Sequence, residues 1–318
     1  MKSEQKVLRL GSMMVIGAIL LRLLCQFPAT ATGVARVMLF LQTGRLVSAS
    51  SQQAVEITAP TETVGITVHT PQRQPVTFSS EDAALIQILN TTSYEADVEA
   101  LLQQALSWNL CEDAPAVLIL HAHATESYTG TDGYRSQDEA QNMISIGDRL
   151  AQRLEAAGIG VIHDRTLHDA TSYKGSYSSA RTVTQKYLQQ YPSIRLILDL
   201  HRDAMENSHG QQVRYTVSTP EGEAAKLLLV VGTDAGGQSH PHWKENLSLA
   251  LQLHAQLQKE APDICRSLQI RTSRFNQDLS AGALLVEVGT AGNSHEEALL
   301  SVEILADAII ALSRGANL

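Results

Sequence analysis

Two short apolar runs of this chain each end on histidine, and that pairing constrains the fold more than any other feature. Residues 115–120 read Pro-Ala-Val-Leu-Ile-Leu and lead into His121-Ala-His123-Ala-Thr125-Glu126. Residues 194–200 repeat the pattern and lead into His201-Arg202-Asp203. Apolar runs of this length read as strands buried in a sheet. Open α/β sheets gather their ligands at the carboxyl ends of strands. Two such ends, each with histidine beside carboxylates, aim at a common point. Imidazole with carboxylate is the donor set of a hydrolytic zinc ion. The pattern points to a metal-dependent hydrolase.

The rest of the chain after Pro115 supports a sheet of that kind. Strands are expected at 116–120, 160–163, 194–200, 212–218, 227–232 and 283–288, and helices at about 138–157, 178–190, 246–259 and 296–313. In the first of these helices Met143, Ile146, Leu150 and Leu154 line one face, and Gly158 stops it. The alternation predicts an α/β fold, a mostly parallel sheet with helices on both faces. Ahead of this catalytic region (115–318) come a helical lead-in (81–114) and a low-complexity stalk rich in Ala, Thr, Ser, Gln and Pro (28–80). Residues 1–27 open the chain. Lys2, Lys6 and Arg9 precede an apolar stretch broken only by Ser12, Arg22 and Gln26. A basic start holds that end in the cytoplasm and sends the rest across the membrane. Ala29-Thr30-Ala31 resembles a cleavage site, so retained anchor and cleaved signal both stay open.

Composition counts against two function classes. A formal net charge of −9 argues against a nucleic-acid surface, which needs clustered Lys and Arg. Cys25, Cys111 and Cys265 contain no Cys-x-x-Cys pair, so a cysteine-built zinc knuckle is excluded.

A third landmark is Ala283-Leu-Leu-Val-Glu287-Val-Gly289. A carboxylate in an otherwise apolar strand is costly unless it faces a cavity or an ion. Glu287 is therefore the candidate general base, able to take the proton of an attacking water and pass it to the leaving amine. Glu139, at the start of the predicted 138–157 helix, is a candidate further ligand pointing back toward His121 and His123. Acidic residues favour any first helical turn, so that position alone does not decide its role. Glu126 is the competing carboxylate. Asp199 is suited to orient His201, Arg202 is expected to pair with a carboxylate, and His168, Tyr173 and the His240-Pro-His242 loop are candidate cleft residues.

In order along the chain, His121-Ala-His123-Ala-Thr-Glu126-Ser-Tyr128, residues 142–147, Val161-Ile-His-Asp-Arg-Thr, Asp199-Leu-His201-Arg-Asp203 and Glu287-x-Gly resemble one known family. It is stage II sporulation protein P, a cell-wall hydrolase family of endospore-forming bacteria. The resemblance covers about residues 115–316 and implies a catalytic region similar to zinc-dependent N-acetylmuramoyl-L-alanine amidases. By position it implies zinc (Zn2+) held by His123, Glu139 and His201, with Glu287 as the catalytic carboxylate. His121, Glu126 and Asp203 are then alternative ligands or substrate contacts. It also implies cleavage of peptidoglycan between N-acetylmuramic acid and L-alanine, with cleavage of stem cross-links as a further activity. The implied setting is the sporulation septum during thinning and engulfment. There the chain would be a single-pass protein of the cell membrane with its catalytic domain outside, beside a membrane partner protein and a glycan-cleaving partner. Two rivals stand beside this reading: a zinc peptidase or deacetylase acting on another amide, and a catalytically silent wall-binding module.

Overall fold

A computed structural model describes residues 76–106, 110 and 114–315. Its first elements are helix α1 (Ser80–Ala84), strand β1 (Ile88–Asn90), helix α2 (Val98–Leu102), strand β2 (Val117–Leu120), helix α3 (Met143–Ala156) and strand β3 (Val161–His163). Helix α4 (Ser176–Gln190), strand β4 (Leu196–Asp203), the hairpin β5 (Thr216–Thr219) and β6 (Gly222–Ala225), and strand β7 (Leu227–Gly232) follow. Helix α5 (Trp243–Glu260), strands β8 (Leu268–Arg271) and β9 (Ala283–Thr290) and helix α6 (His295–Arg314) complete the chain. The apolar segment 10–27 and most of the stalk lie outside the described residues. Among the described residues no helix is long and apolar enough to cross a membrane.

Seven strands form one sheet in the order β1-β8-β7-β9-β4-β2-β3. Every pairing is parallel except β7 with β9, so the sheet is mostly parallel, as the alternation predicts. Three strands escaped the sequence reading, β1, β6 and β8. Each is only three or four residues long, and β1 sits where a continuing helix was expected. Helix α1 ends at Ala84, and the chain then extends to pair with β8. The stretch 81–114 is thus part of the domain: it supplies an edge strand, and Ile86, Leu102 and Leu110 join the main core.

Side-chain alternation divides the strands between two faces. On one face Val117, Ile119, Leu196, Leu198, Leu200, Leu284 and Val286 pack with Met143, Leu150, Leu251, Val302 and Ile309 of α3, α5 and α6. On the other, Leu118, Leu120, Ile197 and Ala283 meet Ala180, Tyr187 and Leu188 of α4. Beyond α4 that second face changes character. Leu228, Val230 and Leu285 form a small cluster there with Phe275 from a loop, and no helix among the described residues joins it. The expected helical cover on both faces therefore holds for only part of the sheet. A β-hairpin, rather than a helix, fills the chain between β4 and β7.

The join of β4 to β9 depends on one glycine. Ile197 N donates to Gly282 O at 2.8 Å, and a Cβ built on Gly282 would collide with the backbone carbonyl oxygen of Arg195. Backbone cannot yield as a flexible side chain does. Gly282→Ala is expected to destabilise the domain by about 1–3 kcal/mol or more, read as a lower denaturant midpoint. An unchanged midpoint would show that the two strands separate freely at this end.

Candidate catalytic site

In the β4–β9 pairing His201 stands opposite Glu287. Alternation puts both on the face only partly covered by α4, with Asp199 two residues before His201. The chain leaving β2 then brings His123 and Glu126 over the same face. His201 Nδ1 lies 3.3 Å from Glu126 Oε2 and its Nε2 lies 2.9 Å from Asp199 Oδ1. The second approach is out of line for a hydrogen bond, so Nε2 has no hydrogen-bond partner among the described residues. Asp199 is held in place by the Ala122 amide, which donates to its Oδ1 at 2.8 Å. The rings of His123 and His201 meet edge to face at 5.3 Å.

The surroundings of His123 settle its tautomer. Ser176 Oγ donates to Tyr173 O at 2.9 Å, which commits the hydroxyl proton. At 3.2 Å from Ser176 Oγ, His123 Nδ1 must then be the donor. A neutral ring so arranged carries its lone pair on Nε2, the form that binds a metal. Tyr173 stacks on this ring at 4.1 Å with 5° between planes, and Tyr177 meets it edge-on at 5.4 Å.

Burial and charge perturb His201, Glu287, His123 and Glu126. For His201, burial favours the neutral ring, but Asp199, Tyr177 and Glu126 outweigh it and hold the pKa well above the usual value. For Glu287, loss of hydration pushes the pKa up to about 8; His201 opposes the rise, and Glu126 and Asp203 add to it. Its Oε2 is shielded from water and makes no hydrogen bond among the described residues. Burial also depresses His123. For Glu126, burial acts upward but His201 and Arg202 prevail, keeping the carboxyl below its ordinary value.

Among the described residues no three His, Cys, Asp or Glu side chains already stand arranged to hold a metal ion. The donor chemistry nonetheless fits zinc: an imidazole with a free Nε2, a second with an unpartnered nitrogen, and a buried carboxylate between them. These residues line a cleft of about 520 Å³ that also contains Tyr173, Tyr177, Asp203 and Glu287.

Two of the expected ligands lie elsewhere. His121 faces the opposite side of the sheet, where its Nδ1 donates to Leu200 O at 3.1 Å and its Nε2 meets His163 Nε2 at 2.8 Å. Strand parity sends it there. Glu139 is exposed and pairs with Arg165. Helix α3 starts only at Met143, because Asn142 caps it by accepting from the Ile144 amide. Glu139 therefore precedes the helix and is absent from the cleft lining. Asp203 borders the cleft, but Arg266 donates to its Oδ2 at 2.7 Å. His168 is buried between Asp164 and Ser179, and neither His240 nor His242 lines the cleft. The Arg202 guanidinium donates to the carbonyls of Ser127 and Tyr134, and only its backbone amide reaches a carboxylate, Glu126.

The sequence reading missed Ser176, Tyr177 and Asp169 as supports of the site. Asp169 accepts from Thr125 and Arg135, fixing the loop between His123 and Glu126. The polar run 168–177 was visible, but nothing in it showed which side chains turn toward His123.

The profile of the stage II sporulation protein P (SpoIIP) family matches residues 47–310. The chain belongs to that family. Stage II sporulation protein P of Bacillus subtilis (strain 168) is 29% identical over 230 residues, covering 64% of this chain and 55% of its own. The chain thus spans about half the length of that curated relative. Among solved structures, N-acetylmuramoyl-L-alanine amidase AmiC2 of Nostoc punctiforme is 16% identical at a TM-score of 0.38, over 62% of this chain and 94% of its own. The CwlD amidase from Clostridioides difficile, solved with the GerS lipoprotein, is 13% identical at 0.38, over 63% and 95%.

Proposed function

We propose that this SpoIIP-family chain is a zinc-dependent peptidoglycan hydrolase that cleaves the amide between N-acetylmuramic acid and the L-alanine of the stem peptide. What carries the reading is the meeting of His123, Glu126, His201 and Glu287 in one cleft of a chain from a sporulation family. His123, His201 and Glu126 would hold the ion. Zinc, when bound, supplies Lewis-acid polarisation of the amide carbonyl and lowers the pKa of water.

The protein's own groups do the remaining work. Ser176 keeps His123 in the tautomer that offers Nε2, and the Ala122 amide holds the Asp199 carboxylate beside the His201 ring. Glu287 takes the proton of the attacking water and delivers it to the leaving nitrogen of L-alanine. Its shielded, poorly hydrated setting suits that task, since a more basic carboxylate accepts a proton more readily. Tyr173 and Tyr177 wall the cleft and keep bulk water from the two histidines.

Under this reading residues 10–27 hold the chain at the cell membrane with its catalytic domain outside, and the stalk gives it reach into the wall. Cleavage of stem cross-links, and work at the sporulation septum beside a membrane partner and a glycan-cleaving enzyme, belong to the same proposal. The test is the purified protein on isolated sacculi. Expected are stoichiometric zinc by elemental analysis and free stem peptides with new L-alanine amino termini, both lost in His201→Ala. Zinc that survives this substitution would remove His201 from the site. Sacculi left intact by zinc-loaded protein would favour the silent wall-binding module.

A further inference from the structure

We propose that the open face of the sheet is a peptide subsite in which Arg271 pairs with a carboxylate of the substrate's peptide. The proposal rests on the amidase reading, which makes one side of the scissile bond a peptide. It starts from β8, whose residues alternate: Leu268 and Ile270 enter the main core, while Gln269 and Arg271 line the cleft. The cleft thus runs from Glu287 past Leu285, Leu228 and Val230 to Gln269 and Arg271. Among the described residues no helix covers this part of the sheet, and it is continuous with the catalytic groups.

Arg271 differs from the arginines around it. Arg135 is paired with Asp169, Arg266 with Asp203, and Arg181 and Arg274 with Asp278. Arg202 is spent on two carbonyls. The guanidinium of Arg271 donates through Nε to Gln269 Oε1 at 2.8 Å, which directs it along the strand, and it makes no ion pair among the described residues. A guanidinium with both Nη groups uncommitted, in a walled cleft of an acidic protein, is suited to a planar carboxylate bound by two parallel hydrogen bonds.

The register gives the distance. Leu228 stands opposite Glu287, and Gly232, four residues on, stands opposite Arg271, with β7 lying between β9 and β8. At ~4.8 Å between strands and ~3.3 Å per residue, the two backbones are roughly 16 Å apart. An extended peptide covers that in about four or five residues, and the arginine side chain reaches part of the way back. The carboxylate it meets therefore lies about three to five residues beyond the scissile amide.

The test uses zinc-loaded protein and synthetic N-acetylmuramoyl pentapeptides that carry one carboxylate at residue three, four or five, each beside its amidated twin. Cleavage is read as kcat/KM, and binding of the same compounds is read by calorimetry. Amidating the recognised carboxylate should cost the wild type roughly 10–100-fold, the range of a hydrogen-bonded charge pair. Arg271→Gln should lose a similar factor on the acid, the two losses should not add, and Arg271→Lys should recover part. Equal amidation losses in wild type and Arg271→Gln, or no carboxylate preference at any position, would overturn the subsite. Cleavage without such a preference leaves the amidase reading standing. Carboxylate-dependent binding without cleavage does the reverse. Should Arg271→Gln fail to fold by thermal melting, the wild-type amidation series and Arg271→Lys still decide.

Discussion

Glu287→Gln is expected to fold as the wild type does, to keep its zinc, and to lose at least ~10²-fold in turnover. Glutamine has nearly the shape of glutamate and retains hydrogen-bonding capacity, so packing against Leu285 and the β4 register should survive. What it lacks is a site for the water's proton. The stability side of the forecast follows from the structure: Oε2 of Glu287 makes no hydrogen bond among the described residues, so no native partner is lost there. Replacing a poorly hydrated carboxylate with a neutral amide is more apt to stabilise the fold than to weaken it. Turnover on sacculi, zinc content and a denaturant midpoint check the three parts together. Turnover near the wild-type rate would make Glu287 a structural carboxylate and remove the general base from the mechanism.

How much of this was legible in the sequence depended on whether a feature was local. His201 and Glu287 could be found because each terminates an apolar run, where any ionisable residue is conspicuous. Their meeting follows from one register pairing between β4 and β9. His121 was ambiguous because a histidine at a strand end is equally visible whichever face it takes. Only the strand's exact limit, Leu120, sends it to the α3 side against His163. Glu139 was misplaced for a boundary reason. The apolar periodicity of α3 is plain from Met143 onward, but the turn around Asp138 and the Asn142 cap postpone the first helical turn past Glu139. The short strands β1, β6 and β8 carry too few residues for a period to emerge. The open face was invisible for a different cause. Among the described residues no helix packs on Leu228, Val230 and Leu285, and that is a property of connections rather than of any strand.

Under the proposed zinc reading, the start of α3 decides which carboxylate completes the ligand set. Glu126→Ala is expected to weaken zinc binding by more than the roughly 10–100-fold that loss of a supporting group costs, and to abolish turnover with it. Glu139→Ala should retain both. The asymmetry comes from position. Glu126 is buried, 3.3 Å from His201 Nδ1, and accepts from the Arg202 amide at 3.2 Å, so it is already fixed beside an expected ligand. Glu139 is exposed and occupied by Arg165, a surface pair worth ~0–1 kcal/mol. To reach the cleft it would have to break that pair and move the turn that precedes α3. Competition for zinc against a chelator of known affinity, run on both variants, separates the cases. If Glu139→Ala sheds the metal while Glu126→Ala keeps it, the segment 136–142 must swing into the cleft when zinc binds. The ligand set implied by the family resemblance would then stand over the one argued from this geometry.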